Sequence, residues 1–112
     1  MNRASLLKDN TFKADKPAIS VLLETETTKE IKILMQKGQV MKKHQAPFPI
    51  VIEVFQGSID FGVADQIVKL VKGDLISLKS AVPHDLSATE DAIVRLSLSK
   101  HDSVARVETI VK

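Results

Sequence analysis

The sequence predicts an all-β domain built from antiparallel sheets, with the architecture of a sandwich or a barrel. Seven short segments rich in β-branched and aliphatic residues recur along the chain, and turn-forming residues separate most of them. Many short strands at regular spacing are typical of these two architectures. Hydrophobic residues make up 44% of the 112 residues and charged residues 27%, as in ordinary globular proteins.

The predicted strands are justified by their side-chain pattern. In Glu30–Gln36, the side chains of Ile31, Ile33 and Met35 occupy every second position, which is the period of a strand. The stretch "VADQ", near residue 65, has the length of a hairpin loop but lacks the favoured Asn-Gly pair. The seven predicted strands are Ile19–Glu24, Glu30–Gln36, Ile50–Phe55, Ser58–Val63, Gln66–Val71, Asp74–Leu78 and Ala92–Ser99.

The two ends of the chain carry weaker patterns. Residues 2–9 are compatible with a short helix, and residues 103–111 with a helix or an edge strand. A chain of this length is expected to form one domain. The expected division is a single domain over residues 1–112, with a core at 19–99, an N-terminal extension at 1–18 and a C-terminal extension at 100–112.

Composition excludes several classes of function. The chain has no cysteine, so disulfides, thiolate metal sites and cysteine nucleophiles are excluded. The first residues do not resemble a signal peptide, and no apolar run approaches the roughly 20 residues of a membrane span. The net charge of +2 is spread along the chain and aromatics are only 4%, which argues against nucleic-acid binding. We therefore expect a cytoplasmic protein with no nucleic-acid or membrane partner.

In two segments, glycine and histidine are separated by numbers of residues that match a known sequence motif. In the first, five residues separate Gly38 from His44, and six separate Ile50 from Gly57. This resembles the first motif of the cupin superfamily, which is Gly, five residues, His-x-His, three or four residues, Glu, six residues, Gly. The resemblance implies a jelly-roll β-barrel of two antiparallel sheets. Small cupins that look like this chain are usually homodimers, so it also implies a homodimer.

The second segment, "GDLISLKSAVPHDL", resembles the second cupin motif. That motif is Gly, five residues, Pro-x-Gly, two residues, His, three residues, Asn. Gly73 and His84 occupy the glycine and histidine positions. Lys79, Ala81 and Ala88 stand where the family has proline, glycine and asparagine.

The resemblance also exposes an incomplete metal site. Metal-binding cupins use two histidines and a glutamate of the first motif and the histidine of the second. Carried over to this sequence, only His44 and His84 match, because Ala46 replaces the second histidine and Ile50 replaces the glutamate. Catalytic zinc and iron sites usually have at least three protein ligands, often with a carboxylate. No cofactor is therefore predicted with certainty, and a weakly bound divalent metal on His44 and His84 stays open.

The resemblance implies that His44 and His84 approach each other across the barrel. Strand alternation places Ile50, Ile52 and Val54 on one face and Glu53 on the other. An apolar cavity with two polar anchors has the composition of a ligand pocket. Contact with a ligand and an inert remnant are equally compatible with the two histidines. The candidate ligand-binding residues are His44, His84, Ile50, Ile52, Val54 and Phe48.

Phe48 lies in "APFP", where Pro47 and Pro49 stiffen the loop. It could cover the mouth of the pocket, or pack on a neighbouring loop or a dimer partner. We expect a cupin that binds a small molecule without a complete catalytic metal site. The alternatives are a metal-dependent dioxygenase or isomerase that uses His44 and His84, and a dimeric structural or interaction module.

Overall fold

The computed structural model describes residues 1–111, which form nine strands and one helix. The elements are β1 (Ala18–Glu24), β2 (Thr28–Met35), β3 (Val40–His44), β4 (Ile50–Gln56), β5 (Ser58–Val63), β6 (Gln66–Val71), β7 (Leu75–Leu78), β8 (His84–Ala88), β9 (Ala92–Ser99) and α1 (Val104–Ile110).

The strands are divided between two antiparallel sheets. One sheet has the order β1-β2-β9-β4-β7, and the other has the order β3-β8-β5-β6. The sheets are not joined into a closed ring of strands, but their inner faces enclose one hydrophobic core. The all-β fold of two antiparallel sheets is confirmed as a jelly roll.

The core follows from the alternation of side chains along the central strands. In β2, Ile31 and Ile33 are at most 1% exposed, and they are paired in register with Leu96 and Val94 of β9. These side chains lie on the inner face of the five-stranded sheet. The polar residues between them face outward, where Arg95 forms ion pairs with Glu30 and Glu53 at 2.7 Å each.

All seven predicted strands are present, with bounds that differ by one or two residues at most. The structure adds β3 and β8, which we did not predict. The sequence of β3, "VMKKH", has no clear alternation, and that of β8, "HDLSA", has a single large aliphatic residue. The helix expected at residues 2–9 is absent, since turns and bends replace it, whereas the helical alternative for residues 103–111 is confirmed.

The hairpin between β5 and β6 uses a tight turn without glycine. Ala64 and Asp65 have φ angles of 52° and 59°, so both residues adopt the left-handed conformation that this kind of turn requires. Outside the hairpin, Gly57 has a φ of 83°, and a Cβ atom there would collide with the backbone of Asp91. Glycine is therefore required at position 57, the last position of the first motif, because there is no room for a side chain.

The N-terminal segment is tied to the outer face of the five-stranded sheet. Lys32 is only 4% exposed, and its ammonium group donates hydrogen bonds to the backbone oxygen of Lys8 and to Oδ1 of Asn10. Over residues 1–111, no helix is long and apolar enough to cross a membrane.

Candidate functional site

The two motif histidines lie side by side in one sheet. His44 ends β3, His84 begins β8, and the two residues are paired across these neighbouring antiparallel strands. Their ring centroids are 4.2 Å apart with the planes at 62°, an edge-to-face arrangement. The two histidines approach each other, as expected, but they do so as neighbours within the four-stranded sheet and not across the barrel.

A β-bulge turns His44 inward. The register of β3 on β8 shifts between Met41 and His44. Without this shift, strand alternation would place Lys43 on the same face as Met41 and His44 on the opposite face. The extra residue allows both Met41 and His44 to line the interior, while Lys43 is exposed.

Each imidazole is fixed in the same tautomer by the backbone carbonyl two residues before it. Nδ1 of His44 lies 2.6 Å from the backbone oxygen of Lys42, and Nδ1 of His84 lies 2.9 Å from that of Val82. A carbonyl oxygen can only accept, so each Nδ1 must carry the hydrogen and donate it. When the ring is neutral, Nε2 then carries a lone pair.

Burial keeps both rings neutral. His84 is 2% exposed and stacks on Phe61, with ring centroids 5.5 Å apart. The pKa of His44 is lowered to about 4, mainly by burial and to a smaller extent by the charges of a protonated His84 and of Arg106, against the opposing hydrogen bond to Lys42. Burial is also the main cause that lowers the pKa of His84.

The rings line a small cavity with apolar walls. Its volume is about 10 Å³, roughly the space of one water molecule. Both sheets and α1 contribute side chains to it. The lining residues are Ile33, Met41, His44, Ala46, Ile50, Ile52, His84, Leu86, Leu96, Arg106 and Val107.

The helix α1 closes this end of the jelly roll. Val107 is 1% exposed and Ile110 is 7% exposed, and both belong to the hydrophobic core. Ser103 caps the helix by accepting a hydrogen bond from the backbone N–H of Arg106. The apolar face of α1 therefore fills space that would otherwise be part of the cavity.

An ion pair joins α1 to Asp102, which precedes the helix and has a buried carboxylate. Nε and one terminal nitrogen of Arg106 each donate to the Asp102 carboxylate at 2.8 Å. Burial raises the pKa of the Asp102 carboxyl, but the hydrogen bonds from Arg106 and from the backbone of Ser103 outweigh it, so the pKa lies below its usual value. Lys29 further fixes this residue by donating to its backbone oxygen at 2.7 Å.

The residues around the histidines do not fit a tightly held metal ion. Within residues 1–111, no group of three His, Asp or Glu side chains could hold a metal. The positions of the two other family ligands are occupied by Ala46 and Ile50, which are 3% and 4% exposed and offer no donor atom. In the described part of the chain, no carboxylate lines the cavity, and its one charged lining residue is Arg106, a cation, which would repel a divalent ion.

The structure brings together four of the six predicted ligand-binding residues. His44, His84, Ile50 and Ile52 line the cavity. Val54 is fully buried in the core but is not part of the cavity wall. Phe48 is also outside it and packs against His101, with ring centroids 5.9 Å apart.

Sequence reasoning missed the contribution of the C-terminal helix. Val104, Val107 and Ile110 recur at intervals of three residues, a spacing typical of one helical face. That spacing could have indicated a helix with an apolar face. Nothing in the sequence indicated that this face would close the histidine cavity or bring Arg106 to it.

Comparisons with known proteins define the fold. No family model and no curated protein matches the chain. Among solved structures, it is similar to an RmlC-like cupin from Desulfovibrio desulfuricans, with a TM-score of 0.78, 20% identity, and 88% of this chain and 96% of that chain covered. It is also similar to an RmlC-like cupin from Shewanella frigidimarina, with a TM-score of 0.74, 19% identity, and 88% of this chain and 91% of that chain covered. A third similar structure is a cupin superfamily protein from Desulfitobacterium hafniense, with a TM-score of 0.71, 12% identity, and 80% of this chain and 83% of that chain covered.

The fold and the histidine pair thus define a small jelly-roll protein with two neighbouring histidines at an internal cavity. In particular, the chain has the fold of the RmlC-like cupins, and the predicted cupin fold is confirmed. At these levels of identity the likeness concerns the fold alone, and the activity has to be argued from the site itself.

Proposed function

We propose that this cupin-fold protein binds a small molecule in the cavity beside His44 and His84, without a complete catalytic metal site. The observation that supports this is the pair of neutral imidazoles in a wall whose other residues, apart from Arg106, are apolar. Their Nε2 atoms remain available as hydrogen-bond acceptors. A few polar groups in an apolar concavity are typical of ligand sites.

In the conformation described, the cavity is too small for any organic ligand, so binding requires α1 to move. The helix is short, with seven residues, and follows the connecting residues 100–103. Removing Val107 and Ile110 from the core costs about 1.5–3 kcal/mol for each side chain. A ligand must offset this cost, which favours one with its own apolar body.

Histidine-detected NMR tests the proposal. Protein labelled with ¹⁵N in its histidine rings is titrated with a library of small sugars, phenols, alcohols and acids. A true ligand is expected to shift the ring signals of His44 and His84. The shifts and the binding should be lost in His44→Leu and kept in His101→Gln, because His101 is exposed.

Two outcomes would contradict the proposal. One is a library in which no compound shifts either ring. The other is binding that survives His44→Leu unchanged in a variant whose circular dichroism shows an intact fold, since the ligand would then lie elsewhere.

A second proposal concerns self-association and rests on an exposed apolar side chain. Leu75 is 59% exposed on β7, which is an edge strand of the five-stranded sheet. Edge strands are usually covered or paired to prevent uncontrolled association. We propose that a second copy of the chain covers this edge in a homodimer, which would also suit an interaction module.

A further inference from the structure

The hydrogen-bonding character of the cavity restricts the chemistry of its ligand. Nδ1 of each histidine is committed to a backbone carbonyl, at 2.6 Å for His44 and 2.9 Å for His84. Each neutral ring has only one N–H, so both Nε2 atoms are acceptors. A ligand polar group that meets these rings must therefore donate a hydrogen.

The charge balance of the cavity restricts the ligand further. Arg106 is the one cationic residue of the lining, and two of its nitrogens already bind the Asp102 carboxylate. A carboxylate ligand would compete with Asp102 and face the lone pairs of two imidazoles. An ammonium ligand would face the guanidinium group. Either ion would leave an unbalanced charge in a wall that is mostly aliphatic.

We infer that the cavity selects an uncharged molecule made of an apolar body and a hydroxyl group, a phenol or a small apolar alcohol. The hydroxyl donates its hydrogen to Nε2 of His44 or His84, and the body contacts the aliphatic wall. This assignment rests on the proposed function, because it specifies the ligand of the same cavity. An aromatic body suits it best, since the two imidazoles present aromatic rings to the cavity.

Three probes with one aromatic body separate the possibilities. Phenol carries the donor, toluene has a methyl group in its place, and benzoate has an anion. Each is titrated at neutral pH into the histidine-labelled wild-type protein and into Val107→Ala. The variant shortens a cavity-lining side chain of α1 and so enlarges the space and weakens the closure.

We expect phenol to shift the ring signals of both histidines. It should bind at least about tenfold more tightly than toluene, because toluene leaves the buried Nε2 acceptors without a hydrogen-bond donor. Benzoate should bind more weakly than phenol. Val107→Ala should bind phenol more tightly than wild type does and keep the same order of probes. In His44→Leu the preference for phenol over toluene should shrink.

Three results would overturn the inference. Benzoate binding more tightly than phenol, with shifts of the histidine signals, would make Arg106 the anchor of an anionic ligand. Toluene binding as well as phenol would mean that the imidazoles take no part in recognition. In both cases the proposed binding function survives. If no probe shifts the ring signals in either protein, the inference fails, and the wider library decides whether the proposed function fails with it.

Discussion

Acidification tests whether the two motif histidines are held neutral by the fold. The pKa of His44 falls from 6.5 to about 4 in the folded protein, chiefly because burial disfavours the charged ring. The unfolded chain therefore takes up a proton near pH 6.5, whereas the folded chain does not until about pH 4. The free energy of unfolding must decrease as the pH falls through this window.

The magnitude follows from the difference in proton binding. Between about pH 7.5 and about pH 5, a histidine with these two pKa values can lower the free energy of unfolding by at most about 2 kcal/mol. Because His44 is partly exposed, we expect its contribution to be about 1 kcal/mol. His84 adds to the effect in the same direction, because burial lowers its pKa as well. Urea unfolding followed by circular dichroism at about pH 7.5 and about pH 5 measures the sum, and extrapolated free energies are reliable to about 10–15%.

The carboxyl groups of Glu30 and Asp102 should contribute little to the change in unfolding free energy between about pH 7.5 and about pH 5. The pKa values of Glu30 and Asp102 lie below their usual values, so the stability they provide is present above the unfolded pKa values near 4 and is lost only at lower pH. His44→Leu should reduce the difference between the two pH values, and His101→Gln should leave it unchanged. Equal stability of the wild type at both pH values would refute the reasoning, as would an undiminished difference in His44→Leu.

Three further predictions concern other parts of the molecule. In a urea titration, Asp102→Ala should lower the free energy of unfolding by about 3 kcal/mol, because it leaves the Arg106 guanidinium without its buried partner. The control Glu108→Ala, at an exposed position of the same helix, should change this free energy by less than about 0.5 kcal/mol. Ala81→Gly should raise it by about 0.5–1 kcal/mol, since Ala81 is exposed and has a φ of 62°, and an unchanged or lowered value would contradict this. Light scattering should give twice the mass of one chain, and Leu75→Lys should shift the protein toward monomer; a monomeric wild type at high protein concentration would exclude the proposed homodimer.

The part of the fold that could be predicted is the part with simple alternation. In β4, Ile50, Ile52 and Val54 occupy every second position and are buried, so the strand and its orientation follow from the period of two. In β2 the same period identifies the inner face, although Lys32 and Leu34 on the outer face are buried as well. The strands that carry the histidines have no such pattern. Their place was indicated only by the spacing of Gly38, His44, Gly73 and His84, which resembles the cupin motifs.

The candidate site was predicted in composition but not in geometry. The resemblance to the cupin motifs, together with strand alternation, predicted that both histidines lie at an apolar wall with Ile50 and Ile52. The β-bulge that turns His44 inward depends on pairing with β8, and no local pattern marks it. The closure by α1 is likewise a tertiary effect, because an amphipathic segment does not specify which surface its apolar face will contact.

At position 81, alanine occupies a backbone conformation that favours glycine. The second cupin motif has glycine there, and Ala81 still adopts the left-handed conformation that favours glycine. Its backbone N–H donates to the backbone oxygen of Ala46 at 2.7 Å, which ties the segment before His84 to the segment after His44. The loop geometry thus depends on tertiary contacts rather than on local preference.

The ion pair between Asp102 and Arg106 has a consequence for the rate at which a ligand could enter. Lys29 of β2 holds the backbone of Asp102, and the buried Asp102 carboxylate receives three hydrogen bonds, two of them from Arg106 of α1. A movement of α1 that leaves Asp102 in place must therefore break both hydrogen bonds to Arg106 together. Opening should therefore be a rare, all-or-none event. At high ligand concentration the observed association rate would reach a plateau set by the opening of α1, so ligands of different affinity would differ mainly in how slowly they leave.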